Sequence, residues 1–414
     1  MAEIKHLLKS HLDDNGVSVS ELLKLLNLED NLTISLLESL DIKKYENDFI
    51  QISGANSLVQ VQKGINQGYY KEDLACSLHD ITVNNEEEFT LQFHNVDDSE
   101  YLSQLNLPYL TTRTKYSARN DFFSWYYGID KYASELMKNG LDDILYQNIE
   151  LLKESNIADQ QRKYRILHDL NKNEFFVRAI ISLDRYNNYD NNITILIALL
   201  SLHKRMQEED ITYSLNRVEY NESYMKIFFE EDSKKKLGEL GYVKNVIQVS
   251  NDEVKREALK FEAISNIEFI DSENKQQEII IQSSFSKRPK IKSNILAIAH
   301  SLSPDKLVEK LKEIDNSVKI HEDLFELINN ISKIKDPLQI IHLIKELVKN
   351  ARDESFKTHR SKIQKVIDTH VVDNMIQLLT LFSKMELITE NDIEASEYVR
   401  YIIYQSLIEK KSTQ

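Results

Sequence analysis

Apolar residues recur along this sequence with two different periods, and the two periods predict different elements. Helical spacing predicts short helices within 1–54, an apolar helix over 193–206, and about five or six helices from 293 onward. Alternating or continuous apolar runs predict strands, which fall at 49–52, 89–93, 163–168, 175–182, 213–220, 224–229, 242–250, and at 267–270 or 279–281. Strands concentrate in the middle of the chain and helices at its ends, which predicts an α+β fold.

The same pattern divides the chain into four predicted segments. They are a small helical, winged-helix-like unit (1–54), a connection with a short helix at 73–78 (55–87), a central and mainly antiparallel β domain with buried helices (88–290), and a C-terminal helical bundle (291–414). In the first segment, 4–12 is predicted to be a helix. In the last, 357–382 is predicted to be one helix.

Charge disfavours a role in nucleic-acid binding. The net charge is −15, and binding to nucleic acid depends on lysine and arginine neutralising phosphates. Residues 1–54 carry 5 Lys and no Arg against 10 Asp and Glu, so a recognition helix there would present the wrong sign to DNA. This favours a protein-binding or structural role for the first segment.

Composition and motifs give no catalytic signature. With 8 Gly and 4 Pro, the chain has neither G-x-x-x-x-G-K-[ST] nor G-x-G-x-x-G, and its 11 histidines form no H-E-x-x-H pattern. The single cysteine, Cys76, excludes an internal disulfide and a cysteine-based zinc site. Glu230, Lys260 and Glu262 could be arranged as in a nuclease, but their spacing is not distinctive. We therefore expect no enzyme activity, no cofactor and no metal.

The sequence also predicts the cellular compartment. The N-terminus shows no signal-peptide pattern, and no apolar run is long enough to span a membrane. We expect a cytoplasmic protein of a bacterial cell, or a phage protein made in one.

The segment 162–191 holds the clearest local signals. Two apolar runs joined by the polar residues 169–173 predict a β-hairpin. Asp190, Asn191 or Asn192 can cap the helix that follows. Because that helix is apolar almost all round, we expect it to be buried against the sheet.

These residues carry a family resemblance. The order RKYRILHDLNKNEFFVRAII, DRY and DN, followed by VIQVSNDEVKREALKFEA, resembles the phage- and plasmid-associated "domain of unknown function 932" family over roughly residues 88–275. The positions that match its polar motif are Arg165, Arg178, Asp184, Arg185, Tyr186, Asp190, Asn191, Asn251 and Glu253. Lys255 and Glu257 depart from it, because the family has glycines there. The resemblance implies an α+β fold and a mobile-element setting, and no established reaction.

The polar motif allows two interpretations. In the first, Arg185 binds a phosphate or carboxylate and Tyr186 stacks or donates a hydrogen bond. In the second, which we favour, Arg185 pairs with Asp190 or Glu253 and Tyr186 packs into the core. Asn251 and Glu253 leave a strand on one face, where they would satisfy turn backbone and an arginine better than they would bind a metal.

Two basic clusters mark where nucleic acid would bind, if it binds at all. Lys234, Lys235 and Lys236 are predicted to lie in a loop between strands, and the second cluster consists of Lys287, Arg288, Lys290 and Lys292.

We predict a non-enzymatic phage or mobile-element protein that acts by protein–protein binding or by assembly into an oligomer. One alternative is an accessory of phage DNA metabolism that binds single-stranded nucleic acid through the basic clusters. Another is a component of an anti-phage defence system.

Overall fold

A computed structural model describes residues 5–84, 88–94, 96, 99–105, 107–254, 257–283, 294–334 and 336–409. Helices make up 47% and strands 27%, which confirms the predicted α+β class. The chain separates into two compact units. Unit 1 contains 61–188 and 253–256, and unit 2 contains 2–60, 189–252 and 257–414. The four predicted segments follow other boundaries, and their standing as domains stays a prediction.

The strands, in chain order, are β1 (Lys5–Leu8), β2 (Val17–Ser18), β3 (Phe49–Ile50), β4 (Tyr69–Cys76), β5 (Ile81–Asn84), β6 (Thr90–Phe93), β7 (Leu110–Thr114), β8 (Arg162–Asp169), β9 (Glu174–Ile181), β10 (Tyr213–Tyr220), β11 (Tyr224–Leu237), β12 (Gly241–Asp252), β13 (Leu259–Ile270), β14 (Gln276–Ile281) and β15 (Asn294–Ile298). The α-helices are α1 (Val19–Leu23), α2 (Asn31–Ser39), α3 (Ala55–Gly68), α4 (Glu100–Gln104), α5 (Ala118–Tyr127), α6 (Asp130–Lys138), α7 (Asp142–Lys153), α8 (Asn191–Glu208), α9 (Pro304–Leu311), α10 (Ser317–Asn329), α11 (Leu338–Asn350), α12 (Glu354–Thr369), α13 (Met375–Thr389) and α14 (Ile393–Tyr404).

Unit 1 is built on a six-stranded sheet with the order β4-β8-β9-β7-β6-β5. Its neighbouring strands are antiparallel except β7 and β9, which are parallel. The predicted hairpin is β8–β9. In its turn, Asp169 Oδ1 accepts hydrogen bonds from the N–H groups of Asn171 (3.1 Å) and Lys172 (3.2 Å), and Asn173 has a φ of 54°. An Asx-type turn and a left-handed asparagine are what this polar connection favours.

Unit 2 is built on a curled antiparallel sheet with the order β1-β10-β11-β12-β13-β14, and β15 also pairs with β13. The registers of β10–β11 and β11–β12 each contain an irregularity, and such bulges bend a strand and increase its twist. The curl brings Arg217 of β10 into an ion pair with Glu278 of β14, two strands that are not neighbours in the sheet.

The predicted apolar helix is α8. Asp190 Oδ1 accepts a hydrogen bond from Ile193 N at 2.9 Å, so the cap is Asp190, one of the three residues that the sequence allowed. Twelve of its 18 residues are buried, which confirms a helix enclosed on most sides.

The N-terminal part of unit 2 contains the short helices α1 and α2 and the two-stranded sheet β2–β3. Ser18 caps α1 by accepting from Glu21 N, and Asp30 caps α2 by accepting from Thr33 N. Within the described residues, no helix combines the length and the apolar character that a membrane crossing requires.

Three predicted helices were wrong. Residues 5–8 form β1, which pairs with β10, although the spacing of apolar residues over 4–12 suggested a helix. Residues 73–76 belong to β4, which pairs with β8 along its whole length, instead of a short helix. In both places a backbone ladder to a distant strand overrides a weak local pattern. The predicted helix 357–382 is two helices, α12 and α13, and Asn374 caps the second.

Candidate functional site

The hairpin β8–β9 carries two buried arginines that converge on one residue, Glu253. Arg178 Nη1 donates to Glu253 Oε2 at 2.7 Å, and Lys71 Nζ lies 2.8 Å from the same oxygen. Arg165 Nη1 donates to the backbone carbonyl of Glu253. Arg165, Arg178 and Glu253 are each 1% exposed, so these contacts lie almost entirely out of reach of water.

Arg165 uses the rest of its guanidinium on three further residues. Its Nε donates to Asp73 Oδ1 at 3.0 Å, and its Nη2 donates to Asn188 Oδ1. Tyr186 places its hydroxyl 3.5 Å from Arg165 Nη1 and its ring centroid 5.3 Å from the guanidinium carbon. The same hydroxyl donates to the Glu253 carbonyl at 3.3 Å. We call this set the Glu253 network; its members are Lys71, Asp73, Arg165, Arg178, Tyr186, Asn188 and Glu253.

The pKa values of Glu253 and Arg165 favour a structural role for the Glu253 network over a catalytic one. Burial alone would raise the pKa of Glu253, but Lys71, Arg178 and Arg165 lower that pKa to about 2. Burial would lower the pKa of Arg165, but Asp73, Tyr186 and Glu253 together raise it. A general acid or base works best with a pKa near the operating pH, and both groups are far from it.

Four of the nine motif residues lie in this network: Arg165, Arg178, Tyr186 and Glu253. Asp184 and Arg185, by contrast, are exposed on the segment after β9. The two predicted partners of Arg185 are engaged elsewhere, because Glu253 binds Arg178 and Lys71, and Asp190 caps α8. The sequence left two carboxylates open for Arg185, and the side chain of one of them, Glu253, pairs with Arg178 and Lys71 instead.

The remaining motif residues anchor the start of α8 in unit 2. Asn251 Nδ2 donates to the carbonyl of Tyr189 and to Asn191 Oδ1, both at 3.0 Å. Asn251 and Asn191 are fully buried. These contacts fix the chain immediately before the cap at Asp190. Asn251 binds backbone, as expected, whereas Asn191 is the first residue of α8 and not its cap.

The lysines 234–236 lie in a strand, which corrects the predicted loop. They continue β11 beyond its irregularity and pair with β12, with Lys234 opposite Lys244. Lys234 lies over the ring of Tyr242 (4.3 Å to the centroid) and Lys235 over that of Phe325 (5.0 Å). The other basic cluster, Lys287, Arg288, Lys290 and Lys292, lies outside the described residues.

The residues that could have suggested a nuclease are occupied in separate contacts. Glu230 Oε1 pairs with Lys244 (2.8 Å) and Lys9 (3.0 Å), whereas Glu262 accepts from Gln248 (3.1 Å). In the parts of the chain with described positions, no three His, Cys, Asp or Glu side chains are grouped so that they could hold a metal ion. Burial raises the pKa of the Cys76 thiol, which keeps it protonated and unreactive.

Unit 2 contains a polar cavity of about 850 Å³ that the sequence did not suggest. Its walls come from β1, β10, β14, α13 and α14 and the residues that adjoin them. The lining residues are His6, Leu8, Lys9, Ser10, Asn216, Arg217, Glu219, Gln276, Gln277, Glu278, Ser383, Glu386, Leu387, Glu390, Asn391, Ser396 and Arg400. Because these residues come from distant parts of the sequence, no local motif could have identified them.

Unit 1 also exposes a group of large apolar side chains on α6, on α7 and on the residue that immediately precedes α7. We call it the α6–α7 row. Its members are Tyr132 (47% exposed), Leu141 (45%), Ile144 (44%) and Leu151 (64%).

No family model, no curated protein and no solved structure matches this chain. The resemblance described for 88–275 therefore stays a prediction from its motifs.

Proposed function

We propose that this chain is a non-enzymatic protein of a phage or mobile element that acts by binding another protein chain, either a partner or a second copy. The observation that carries the proposal is the α6–α7 row. The resemblance of the sequence motifs supports the mobile-element setting.

The α6–α7 row has the geometry of a helical docking surface. Ile144 and Leu151 are seven residues apart on α7, so they share one side of the helix. Asn148 lies between them and donates to Tyr132 Oη at 3.3 Å, which places the tyrosine beside that side. The core of unit 1 is filled from another side of α7, by Leu145 and Ile149, which are both fully buried.

A row of this kind is uncommon on a surface that contacts only water. Scattered exposed apolar residues are normal, but contiguous ones mark sites of protein contact. Acidic helix residues such as Asp143 and Glu150 are exposed on the same helix, and a polar rim around apolar anchors is typical of protein interfaces.

The test compares a charged row with an equally exposed control. Ile144→Glu with Leu151→Glu places two carboxylates in the row, and Val371→Glu alters a residue of unit 2 that is 67% exposed. Light scattering coupled to size exclusion, over a range of concentrations, measures self-association. Affinity purification from the native host, followed by mass spectrometry, detects other partners.

We expect the double variant to lose an oligomer or a partner that the wild type and Val371→Glu retain. A wild-type chain that is monomeric at every concentration, and whose partners are the same in all three proteins, would contradict the proposal.

A further inference from the structure

The exposed side of α7 carries carboxylates beside the apolar residues of the α6–α7 row. Asp143, Glu150 and Glu154 are exposed and lie seven and then four residues apart, so they share one side of the helix and its C-terminal cap. Ile144 and Leu151 each follow one of these carboxylates directly, which places the apolar residues on the neighbouring side. The surface therefore consists of an apolar stripe with a carboxylate stripe along it.

Little positive charge offsets the carboxylate stripe. Residues 130–159 contain seven Asp or Glu and three Lys, which gives a net charge of −4. Lys153 pairs with Glu150 at 2.9 Å, whereas Asp143 and Glu154 pair with no cation in the part of the chain that the structure describes. A surface with this excess of carboxylates attracts positive charge and repels negative charge.

This charge disfavours a second copy of the chain as the occupant of the row. In a dimer with twofold symmetry the same surface lies on both sides of the interface, so the carboxylate stripes of both copies would lie within it. Like charges that face each other across an interface oppose association. The net charge of −15 adds repulsion between the whole chains.

The backbone of α7 favours a helix over a strand as the bound element. The N–H and C=O groups of a helix interior bond to each other, so the row offers no free backbone groups with which an extended peptide could pair. Side chains alone must hold the occupant. Ile144 and Leu151 are about two turns apart, and a helix with apolar residues at i, i+3 or i+4, and i+7 presents a stripe of the same length.

We propose that the α6–α7 row binds an amphipathic helix of another protein that carries lysine or arginine beside its apolar residues. The apolar residues of that helix pack on Ile144 and Leu151. Its cations lie opposite Asp143, Glu150 and Glu154. The inference rests on the proposed function and adds to it the charge and the shape of the partner.

The test measures binding of two labelled synthetic peptides to the full chain by fluorescence anisotropy at physiological salt. Both peptides are about 18 residues long and carry leucine at helical spacing on one side. The polar positions are lysine in one peptide and glutamate in the other. We expect the lysine peptide to bind at least about tenfold more tightly than the glutamate peptide, and its affinity to fall as salt is added.

Two triple variants separate the carboxylate stripe from the overall charge. The first replaces the carboxylates of the stripe by amides: Asp143→Asn, Glu150→Gln and Glu154→Gln. The second changes the net charge equally, at three exposed carboxylates of α10 in unit 2: Glu322→Gln, Asp323→Asn and Glu326→Gln. Because exposed ion pairs are individually weak, we expect the first variant to weaken binding of the lysine peptide about fivefold to tenfold, and the second by less than about twofold.

Three outcomes would overturn the inference. They are a lysine peptide that binds no more tightly than the glutamate peptide, equal weakening in the two triple variants, and an oligomer that Ile144→Glu with Leu151→Glu disrupts, which would make a second copy the occupant. The proposed function has a separate outcome. It survives all three results if that double variant still loses an oligomer or a partner that Val371→Glu retains, and it fails if the double variant loses neither.

Discussion

Glu253 illustrates at the scale of one residue why a buried charge is tolerated. Moving a carboxylate out of water costs several kcal/mol, and close cations with hydrogen bonds can offset that cost. Lys71 and Arg178 contact its side chain, while Arg165 and Tyr186 contact its carbonyl. The residue is therefore bound through two different groups, and its neutralisation would leave buried cations without their counter-charge.

We expect Glu253→Gln to lower the free energy of unfolding of the part of the chain that contains unit 1 by about 3–5 kcal/mol. Urea titration followed by tryptophan fluorescence measures this, because Trp125, the one tryptophan of the chain, belongs to unit 1. Arg185→Ala is the matched control. Its side chain is exposed, so we expect a change within about 0.5 kcal/mol. Similar losses in the two variants would contradict the assignment of Arg165 and Arg178, rather than Arg185, as the partners of Glu253.

The buried His321 of α10 makes the stability of the chain depend on pH. It is 2% exposed, and its Nε2 lies 3.1 Å from the carbonyl oxygen of Val246, a geometry suited to donation by the neutral ring. Burial lowers its pKa to about 4 from an ordinary 6.5. Between about pH 4 and pH 6.5, His321 is protonated in the unfolded chain and neutral in the folded chain. Stability from this residue is thus complete above pH 6.5 and is lost as the pH falls towards 4.

Over that pH range, the lowered pKa corresponds to a loss of about 3 kcal/mol in the free energy of unfolding. We expect His321→Gln, which can still donate to Val246, to show a smaller loss of stability between pH 6.5 and pH 4 than the wild type. Urea titrations at several pH values would measure the difference. Glu253 titrates in a lower window, between its ordinary 4.5 and about 2, so it contributes little to this comparison. Parallel loss of stability in the two proteins would contradict the prediction.

At the scale of elements, two glycines differ in whether their surroundings leave room for a side chain. Gly241 begins β12 with a φ of +146°, and a Cβ there would lie 2.1 Å from the backbone oxygen of Glu268 on β13. Gly64 lies within α3, and a Cβ there would have no other atom within 4 Å. Backbone cannot move aside as a flexible side chain can, so only the first glycine is required by its surroundings.

We expect Gly241→Ala to destabilise the chain by at least about 1–3 kcal/mol, because it combines backbone strain with a clash. Gly64→Ala should stabilise it by about 0.5–1 kcal/mol, because alanine loses less conformational entropy in a helix. Thermal denaturation followed by circular dichroism tests both. A stabilising Gly241→Ala would contradict the position of β12 against β13.

The elements that the sequence predicted correctly are those that local chemistry determines. The β8–β9 hairpin has a turn whose own side chain, Asp169, satisfies its backbone, and α8 has an Asp190 cap before a long apolar run. β1 and the second half of β11 were not predictable in this way. β1 is a strand because β10 offers it a ladder, and Lys234–Leu237 extend β11 because β12 continues opposite them.

The two candidate sites were predictable to different degrees. The sequence motif contained four members of the Glu253 network, but choosing Arg178 over Arg185 required the register that places Arg165 opposite Ala179. The polar cavity was not predictable, because Glu219, Glu278 and Arg400 meet only after the sheet has curled.

At the scale of the whole molecule, charge is the property most relevant to function. The net charge is −15, and attraction to nucleic acid would have to come from local clusters of cations. Lys234 and Lys235 already lie over aromatic rings, and Lys236 pairs with Glu239 at 3.1 Å. A lysine over an aromatic ring keeps its charge, so of these contacts only the Lys236 pair offsets charge in the cluster.

We expect fluorescence anisotropy with a labelled single-stranded oligonucleotide to show no binding at physiological salt. Any binding at low salt should fall steeply as salt is added, because it would rest on counterion release. Lys234→Ala, Lys235→Ala and Lys236→Ala together should leave the curve unchanged. The matched comparison replaces Lys287, Arg288, Lys290 and Lys292 by alanine, which removes a similar number of cations. Binding that survives physiological salt and is abolished by either set would favour the single-strand-binding alternative over a protein-binding role.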